Sequence, residues 1–108
     1  MGERPMTINE RITGARAYLA KLPKAIAGDG GHPATYRAAS ILAHGFDLDY
    51  DTAWGILNDW NTTHCSPPWS EKELRHKLND AYVKPHEKPK GWLTAGRERM
   101  IEIGRAHV

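Results

Sequence analysis

Two turns that each lead directly into a helix start constrain the fold of this chain more than any other feature. The first is the segment Gly28–Arg37, in which three glycines surround Asp29 and precede Pro33. Glycine adopts φ > 0 without steric cost and lets other groups approach the backbone closely. Unpaired N–H groups at a helix N-terminus, together with the helix dipole, favour an anion. The sequence therefore predicts that a phosphate binds at this turn.

The second turn is the proline pair Pro67-Pro68, which leads into a helix start at Ser70. Ser70 and Glu73 have the spacing of a capping box, in which each side chain bonds the backbone N–H of the other residue. Trp69 precedes the cap and is placed to pack on Leu74 as a hydrophobic staple. These features predict a rigid scaffold around the second turn.

Helical periodicity and capping residues predict four helices. The first begins after a capping box formed by Thr7 and Glu10 and ends near Leu22. The others are expected over about Pro33 to His44, Tyr50 to Asn61 and Glu71 to Val83. The predicted fold class is all-α: a small bundle of about four helices with a C-terminal linker and a short extra helix.

The second predicted helix has an apolar and a polar side. Its inward side chains are expected to be Tyr36, Ala39, Leu42 and Ala43. The other face carries Arg37, Ser40 and His44, spaced by three and four residues along the helix. Any polar role of this helix is therefore expected to fall to those three side chains.

Composition excludes several classes of protein. The 108 residues suffice for one modest core, and a mean hydropathy of −0.64 leaves no stretch that could span a membrane. Cys65 is the only cysteine, so a reducing compartment is the simplest context. With no secretory signal visible, the chain is expected to be cytoplasmic. The net charge is +2, but it is unevenly distributed: both ends of the chain are basic and the middle is acidic. This distribution is compatible with a phosphate-binding face or with an ordinary solvated surface.

No catalytic or metal constellation is predicted. The run Asp47–Asp51 has carboxylates at alternate positions, but Thr52 and Asn58 occupy the positions where a calcium loop needs Gly and Glu. Capping of the third helix is the favoured interpretation. A single cysteine and irregular histidines lack the spacing of a zinc site, and the glycine turn lacks the Lys and Ser/Thr of a P-loop. We therefore expect no enzyme activity, no metal and no cofactor.

The fourth predicted helix is basic on its outer face, which carries Lys72, Arg75, His76 and Lys77. Glu71 with Arg75, and Glu73 with Lys77, are spaced as favourable i,i+4 ion pairs. Part of the positive charge is thus expected to be neutralised within the helix. A solvated structural face and a phosphate-contacting face remain alternatives.

The segment after this helix, residues 84–91, is basic and contains two prolines, which predicts an extended linker. Trp92 and Leu93 are expected to dock back on the core, and the remaining residues to 108 to be helical or partly disordered. Core packing is the default for Trp54 and Trp60. Trp69 and Trp92 are the candidates for a surface position where they would stack on bases.

These motifs together resemble a known helical domain. The matching segments are Leu22–Gly28, Gly30–His32, Ala53–Asn61, Pro67–Ser70 and Gly91–Leu93. In this order and spacing they resemble the domain that accompanies primase-polymerase and helicase modules in phage and plasmid replication proteins, which is related to the primase C-terminal domain family. The resemblance implies a helical domain over residues 1–93 that handles template or nucleotide, with an extension over residues 94–108. In that family the catalytic residues lie in neighbouring domains.

The predicted function is that of a non-catalytic nucleic-acid-binding accessory module of phage or mobile-element replication. Its expected partners are single-stranded DNA or nucleotide phosphates, and a primase-polymerase or helicase protein. The expected phosphate contacts are Lys24, Gly28, Gly30, Gly31, His32, Arg37, Arg75 and Lys77. The alternative is a phage-encoded adaptor that docks on a host or viral protein complex. Steep salt dependence of binding would distinguish phosphate contacts from apolar docking.

Overall fold

The computed structural model describes residues 6–94, and within them helices dominate. The order is α1 (Ile8–Ala20), β1 (Ala25–Ile26), α2 (Gly31–Ser40), a π-helix (Ile41–Gly45), α3 (Tyr50–His64), β2 (Cys65–Ser66) and α4 (Glu71–Val83). The predicted all-α bundle of about four helices is confirmed. None of the helices in this part of the chain is long and apolar enough to cross a membrane.

Local capping chemistry starts α1, α3 and α4 where the sequence predicted. In the α1 capping box, Thr7 N donates to Glu10 Oε1 at 2.9 Å and Glu10 N donates to Thr7 Oγ1 at 3.1 Å. Ser70 and Glu73 form the equivalent pair before α4. Each box satisfies two N–H groups that the first helical turn leaves without partners.

The acidic run before α3 also acts as a cap. Asp49 accepts a hydrogen bond from the Thr52 backbone N–H at 3.1 Å and from its hydroxyl at 2.7 Å. The Thr52 hydroxyl is the larger cause, with the Thr52 backbone N–H second, of a lowered pKa at this carboxyl. The capping interpretation of the Asp47–Asp51 run is therefore confirmed.

The second predicted helix differs most from expectation. It begins two residues earlier, at Gly31, and its α-helical part ends at Ser40. The next turn is a π-helix, closed by a hydrogen bond from Phe46 N to Ile41 O at 2.9 Å. The prediction of a regular helix to about His44 was wrong, because periodicity in the sequence does not mark the place where one extra residue enters a helical turn.

The core lies where the four helices and the π-helix meet. Its fully buried large side chains include Leu19, Leu42, Leu57, Leu74 and Leu78. Trp60 is 4% exposed, as predicted for a core tryptophan. Trp54 is only half-buried, and the Arg75 guanidinium covers its ring at 4.0 Å from the centroid.

A short parallel pairing ties the two turns together. Ala25 lies opposite Cys65 and Ile26 opposite Ser66, and Ala27 N donates to Ser66 O at 3.0 Å. Two-residue strands are too short to leave an alternating pattern in the sequence, so this pairing was not predicted. It brings the glycine turn beside the proline turn.

The C-terminal segment folds back over the π-helix. The prediction that Arg37, Ser40 and His44 form a polar outer face is wrong for two of these residues. Gly91 N donates to His44 O at 2.6 Å, and the His86 ring stacks on His44 at 4.9 Å. Ser40 and His44 are buried, at 7% and 6% exposure, and only Arg37 of the three is exposed. Trp92 and Leu93 are half-buried here, and Leu93 packs against the core. The predicted extension beyond Thr94 lies outside the described residues.

Candidate nucleic-acid interface

An open groove of about 1070 Å³ runs between α2 and α4. Its lining combines basic, aromatic and acidic side chains: His32, Pro33, Tyr36, Trp69, Lys72, Glu73, Arg75, His76, Lys77, Asn79, Asp80 and Lys84. Of the predicted site residues it therefore brings together His32, Trp69, Arg75 and Lys77. Aromatic rings interleaved with cations are the combination that single-stranded nucleic acid requires.

Trp69 is held in place from two sides. Its backbone exchanges two hydrogen bonds with the Asn61 side chain, which is 4% exposed. Its indole Nε1 donates to Thr35 Oγ1 at 2.8 Å, and Thr35 Oγ1 in turn donates to Gly31 O at 2.7 Å. The half-buried ring packs against the core cluster that contains Leu74. The indole is thus fixed at the N-terminal end of α2.

His32 and Lys77 complete a cluster around this indole. The His32 ring lies edge-on to Trp69, with centroids 4.8 Å apart. Lys77 Nζ lies 4.6 Å from the centre of the Trp69 ring and donates to His32 Nδ1 at 2.8 Å. Burial lowers the pKa of the Lys77 ammonium, and the charges of Asp80 and Glu73 oppose this shift. We call these three residues the indole cluster.

The acidic side chains of the groove are committed to other partners. Glu73 Oε1 accepts from Ser70 Oγ at 2.9 Å, so the predicted ion pair with Lys77 does not form in the described part of the chain. Asp80 Oδ2 lies 3.6 Å from Lys84 Nζ. Among residues 6–94, neither Lys72 nor Lys77 forms an ion pair. The exposed Lys72 ammonium is therefore open to an external anion, whereas the half-buried Lys77 ammonium already donates to His32 and has only its other N–H groups to offer.

Arg75 faces α3 as well as the groove. Its Nε donates to Glu71 Oε2 at 2.9 Å, which confirms the predicted i,i+4 pair, and its Nη1 lies 3.4 Å from the Tyr50 hydroxyl. Its guanidinium also covers the Trp54 ring. This side chain is committed to packing and to an internal ion pair, so it offers less to a phosphate than the sequence predicted.

The glycine turn has the predicted backbone conformation. Gly28 and Gly30 have φ of 81° and 79°, and Gly30 caps α2 without any side-chain hydrogen bond. A Cβ on Gly31 would lie 2.9 Å from Ile26 O, so this position needs glycine for a close backbone approach. Lys24 is exposed beside the turn, outside the lining of the groove.

Arg37 and Trp92 lie at a different place from the indole cluster. Both line a smaller cavity of about 270 Å³, and Tyr36 lines both this cavity and the groove. Lys88 Nζ lies 4.8 Å from the centre of the Trp92 ring. The predicted phosphate contact Arg37 and the predicted stacking residue Trp92 therefore lie outside the lining of the groove.

Several residues of the interface were missed by sequence reasoning. Thr35 and Asn61 fix Trp69, while Tyr36 and Lys72 line the groove. Lys84 Nζ lies 5.7 Å from the Tyr36 ring centroid, which repeats the pairing of Lys77 with Trp69. Lys72 was placed on the outer face of the fourth helix, and only the helix pairing shows that this face borders a groove.

Cys65 lies beneath the cluster and is buried. Burial raises the pKa of its thiol, and hydrogen bonds with Thr35 and Trp69 act in the opposite direction. Within residues 6–94, no three His, Cys, Asp or Glu side chains gather into a group that would hold a metal ion.

Comparisons of the chain with protein-family models, curated proteins and solved structures each find no match. The resemblance to the primase C-terminal domain family therefore stays a prediction from sequence motifs. Any functional proposal has to rest on the groove and the indole cluster themselves.

Proposed function

We propose that this chain binds single-stranded DNA in the groove between α2 and α4, as a non-catalytic accessory module of replication. The observation that carries the proposal is a fixed indole, Trp69, beside two lysines, Lys72 and Lys77, that form no ion pair in the described part of the chain. Base stacking and phosphate contact are the two interactions that sequence-tolerant binding of single strands combines.

The fixed indole favours stacking. Hydrogen bonds through Asn61 and Thr35 already restrain Trp69, so binding loses little side-chain entropy there. A strand would exchange the contact between Lys77 and the ring for a base on the ring and a phosphate on the ammonium. The cation–π contact is worth about 0.5–1 kcal/mol at exposed sites, whereas a stacked base contributes about 1–3 kcal/mol. The stacked base thus outweighs the lost cation–π contact, and the phosphate takes over the ammonium that His32 held.

The lysines of the groove supply the electrostatic attraction. Lys72, Lys77 and Lys84 line one continuous surface, and Lys24 stands beside the glycine turn. Neutralising about three phosphates of a single strand gives a log–log salt slope of about −2. Phosphate contacts of this kind carry little sequence information, which suits template handling.

The resemblance supplies the biological setting of the proposal. A domain similar to the primase C-terminal family would act beside a primase-polymerase or helicase protein and would work in the cytoplasm. On this view the chain holds template for a catalytic partner and performs no chemistry of its own.

Fluorescence anisotropy with a short labelled oligonucleotide at several salt concentrations tests the proposal. Lys72→Ala and Lys77→Ala should each weaken binding and reduce the salt slope by about 0.7. Lys21→Ala is the matched control, because Lys21 is equally a surface lysine but lies outside the groove. Lys24→Ala and Arg37→Ala test the turn and the smaller cavity separately.

The wild-type measurement decides between the nucleic-acid proposal and the adaptor. If the wild-type chain shows no salt-sensitive binding at tens of micromolar protein, the nucleic-acid proposal fails. The adaptor then takes its place, and its binding to a protein partner should respond weakly to salt.

A further inference from the structure

Three aromatic rings in the described part of the chain each lie beneath a lysine ammonium group. The distance from Nζ to the ring centre is 4.6, 5.7 and 4.8 Å, in the pairs Lys77 with Trp69, Lys84 with Tyr36, and Lys88 with Trp92. The first two pairs line the groove, whereas neither residue of the third pair does. The combination of a stacking surface and a cation, on which the groove proposal depends, therefore also exists outside the groove.

The three rings follow one another along the surface. Tyr36 lines the groove together with Trp69, and it also lines the smaller cavity together with Trp92. A strand that leaves the groove past Tyr36 therefore reaches this cavity next. Because the exposed lining of the cavity is almost wholly apolar, it suits the face of a base and not its hydrogen-bonding edge.

Trp92 is anchored before any strand binds. Its backbone N–H donates to Pro89 O at 3.1 Å, and the N–H of Gly91 donates to His44 O at 2.6 Å. The His86 ring lies nearly parallel to the indole, at an angle of 16° with the centroids 6.4 Å apart. The half-buried indole is thus held against the π-helix, so stacking a base on it loses little conformational entropy.

The surroundings of Trp92 favour a phosphate. Lys88 is exposed and forms no ion pair within residues 6–94. Arg37 is exposed as well and lines the cavity, and no carboxylate is among the described residues that line it. Glu87, the only acidic residue between positions 84 and 94, is exposed and lies outside this lining. Both cations are therefore available to phosphates that flank a base stacked on Trp92.

We propose that a bound single strand continues beyond the groove, past Tyr36, and stacks a further base on the Trp92 ring that Lys88 covers in the free chain. The base displaces the ammonium from the ring, and the ammonium moves to a phosphate of the strand. The binding surface is then longer than the groove, and only strands long enough to reach Trp92 use its outer part. This inference rests on the proposed function, because the strand must first occupy the groove.

Fluorescence anisotropy with labelled oligo-dT of increasing length, at fixed salt, tests the inference. Lengths from about 4 to about 16 nucleotides cover the site sizes of small single-strand-binding domains. We expect the affinity of the wild-type chain to rise by at least about fivefold over a narrow interval of length, which is the contribution of one stacked base. Strands below that interval reach only the groove.

Two lysines of the C-terminal segment provide a matched pair of variants. Lys88→Ala should weaken the binding of the longer strands and reduce their salt slope by about 0.7, without changing the binding of the shortest strands. Lys90→Ala is the control, because Lys90 is exposed on the same segment but contacts no ring in the described part of the chain. It should leave the affinity nearly unchanged at every length.

Two variants of Trp92 separate stacking from folding. Trp92→Leu lacks a stacking ring and should remove the affinity step of the longer strands, whereas Trp92→Phe keeps a ring and should retain most of it. Thermal melting shows whether each variant is folded, and the affinity for the shortest strands shows whether the groove is intact. Trp54→Leu is the control, because Trp54 lies under Arg75, outside both the groove and the cavity.

The outcomes distinguish this inference from the groove proposal. Salt-sensitive binding without a step in affinity, or a step that is unchanged in Lys88→Ala or in a folded Trp92→Leu, overturns the inference and leaves the groove proposal standing. Equal losses in Lys88→Ala and Lys90→Ala also overturn it, because general charge attraction then explains the effect. Should Trp92→Leu fail to fold, the two lysine variants decide. If no strand of any length binds, the proposed function fails and this inference fails with it.

Discussion

Asn61 and Trp69 exchange a pair of hydrogen bonds across the proline turn: Trp69 N donates to Asn61 Oδ1 at 2.8 Å, and Asn61 Nδ2 donates to Trp69 O at 3.0 Å. One buried amide of α3 thereby satisfies both backbone groups of the residue that precedes the α4 cap. The position of the indole in the groove follows from α3 as much as from α4.

Replacing Asn61 should weaken the fold. Asn61→Ala leaves the N–H and C=O of Trp69 without partners in a half-buried place, which lowers the free energy of unfolding by about 1–3 kcal/mol. Urea denaturation measures the change. Asn58→Ala is the matched control, because Asn58 is exposed on the same helix, and its effect should stay within about 0.5 kcal/mol. Equal effects of the two variants would contradict a structural role for the Asn61–Trp69 pair.

Two glycines should respond to alanine in opposite directions. A Cβ on Gly31 would meet the rigid backbone of Ile26, with 2.9 Å to its oxygen, so Gly31→Ala should destabilise the chain by about 1–3 kcal/mol. Gly55 lies within α3 with nothing within 4 Å of a Cβ, so Gly55→Ala should stabilise by about 0.5–1 kcal/mol. Thermal melting of both variants checks the signs, and stabilisation by Gly31→Ala would refute the close approach at the glycine turn.

Trp69 should combine a stability role with a binding role. Trp69→Ala removes buried ring area and should cost about 2–4 kcal/mol, towards the lower end because the side chain is half-buried. Trp69→Phe loses mainly the hydrogen bond to Thr35, about 1 kcal/mol, and keeps a stacking surface. Melting and anisotropy together test this. If Trp69→Phe binds DNA as poorly as a well-folded Trp69→Ala, ring stacking is not the contact.

Tyr82 should make stability fall at alkaline pH. Its hydroxyl donates to Leu48 O at 2.5 Å, and burial, followed by the carboxylates of Asp49 and Asp47, raises its pKa. A raised pKa means that the stabilisation is complete below the pKa of an unfolded tyrosine, about 10, and is lost as pH rises beyond it.

Tyr82→Phe should therefore lower stability by about 1 kcal/mol at neutral pH and flatten its decline above about pH 10. The measurement is urea denaturation between neutral pH and pH 11. Tyr18→Phe is the control, because the Tyr18 hydroxyl forms no hydrogen bond within residues 6–94. A steep decline that persists unchanged in Tyr82→Phe would assign the alkaline limb to another group.

The sequence predicted those parts of the fold that depend on neighbouring residues. The boxes at Thr7 and Ser70, the cap at Asp49 and the left-handed glycines at 28 and 30 each arise within one turn of chain, and all are confirmed. The bounds of α4 were predicted to the residue.

Features that depend on distant segments were not predictable in the same way. His44 is buried between two distant parts of the chain, residues 86–91 and Ala81 of α4. The position of Arg37 in the smaller cavity and outside the groove depends on which side of α2 faces α4. Glu73 had two plausible partners at local spacing, Ser70 and Lys77. Only the structure shows that the Glu73 carboxylate accepts a hydrogen bond from Ser70 and forms no ion pair with Lys77 in the described part of the chain.

The links between the two turns make their motions interdependent. Ala25 pairs with Cys65, Ala27 N bonds Ser66 O, and the Trp69 indole reaches Thr35 inside α2. Neither loop can open without breaking bonds that hold the other, so the amide hydrogens of both loops should exchange with solvent through a single shared opening event. A nucleic acid that binds one turn would then also slow amide hydrogen exchange at the other turn, without contacting that second turn.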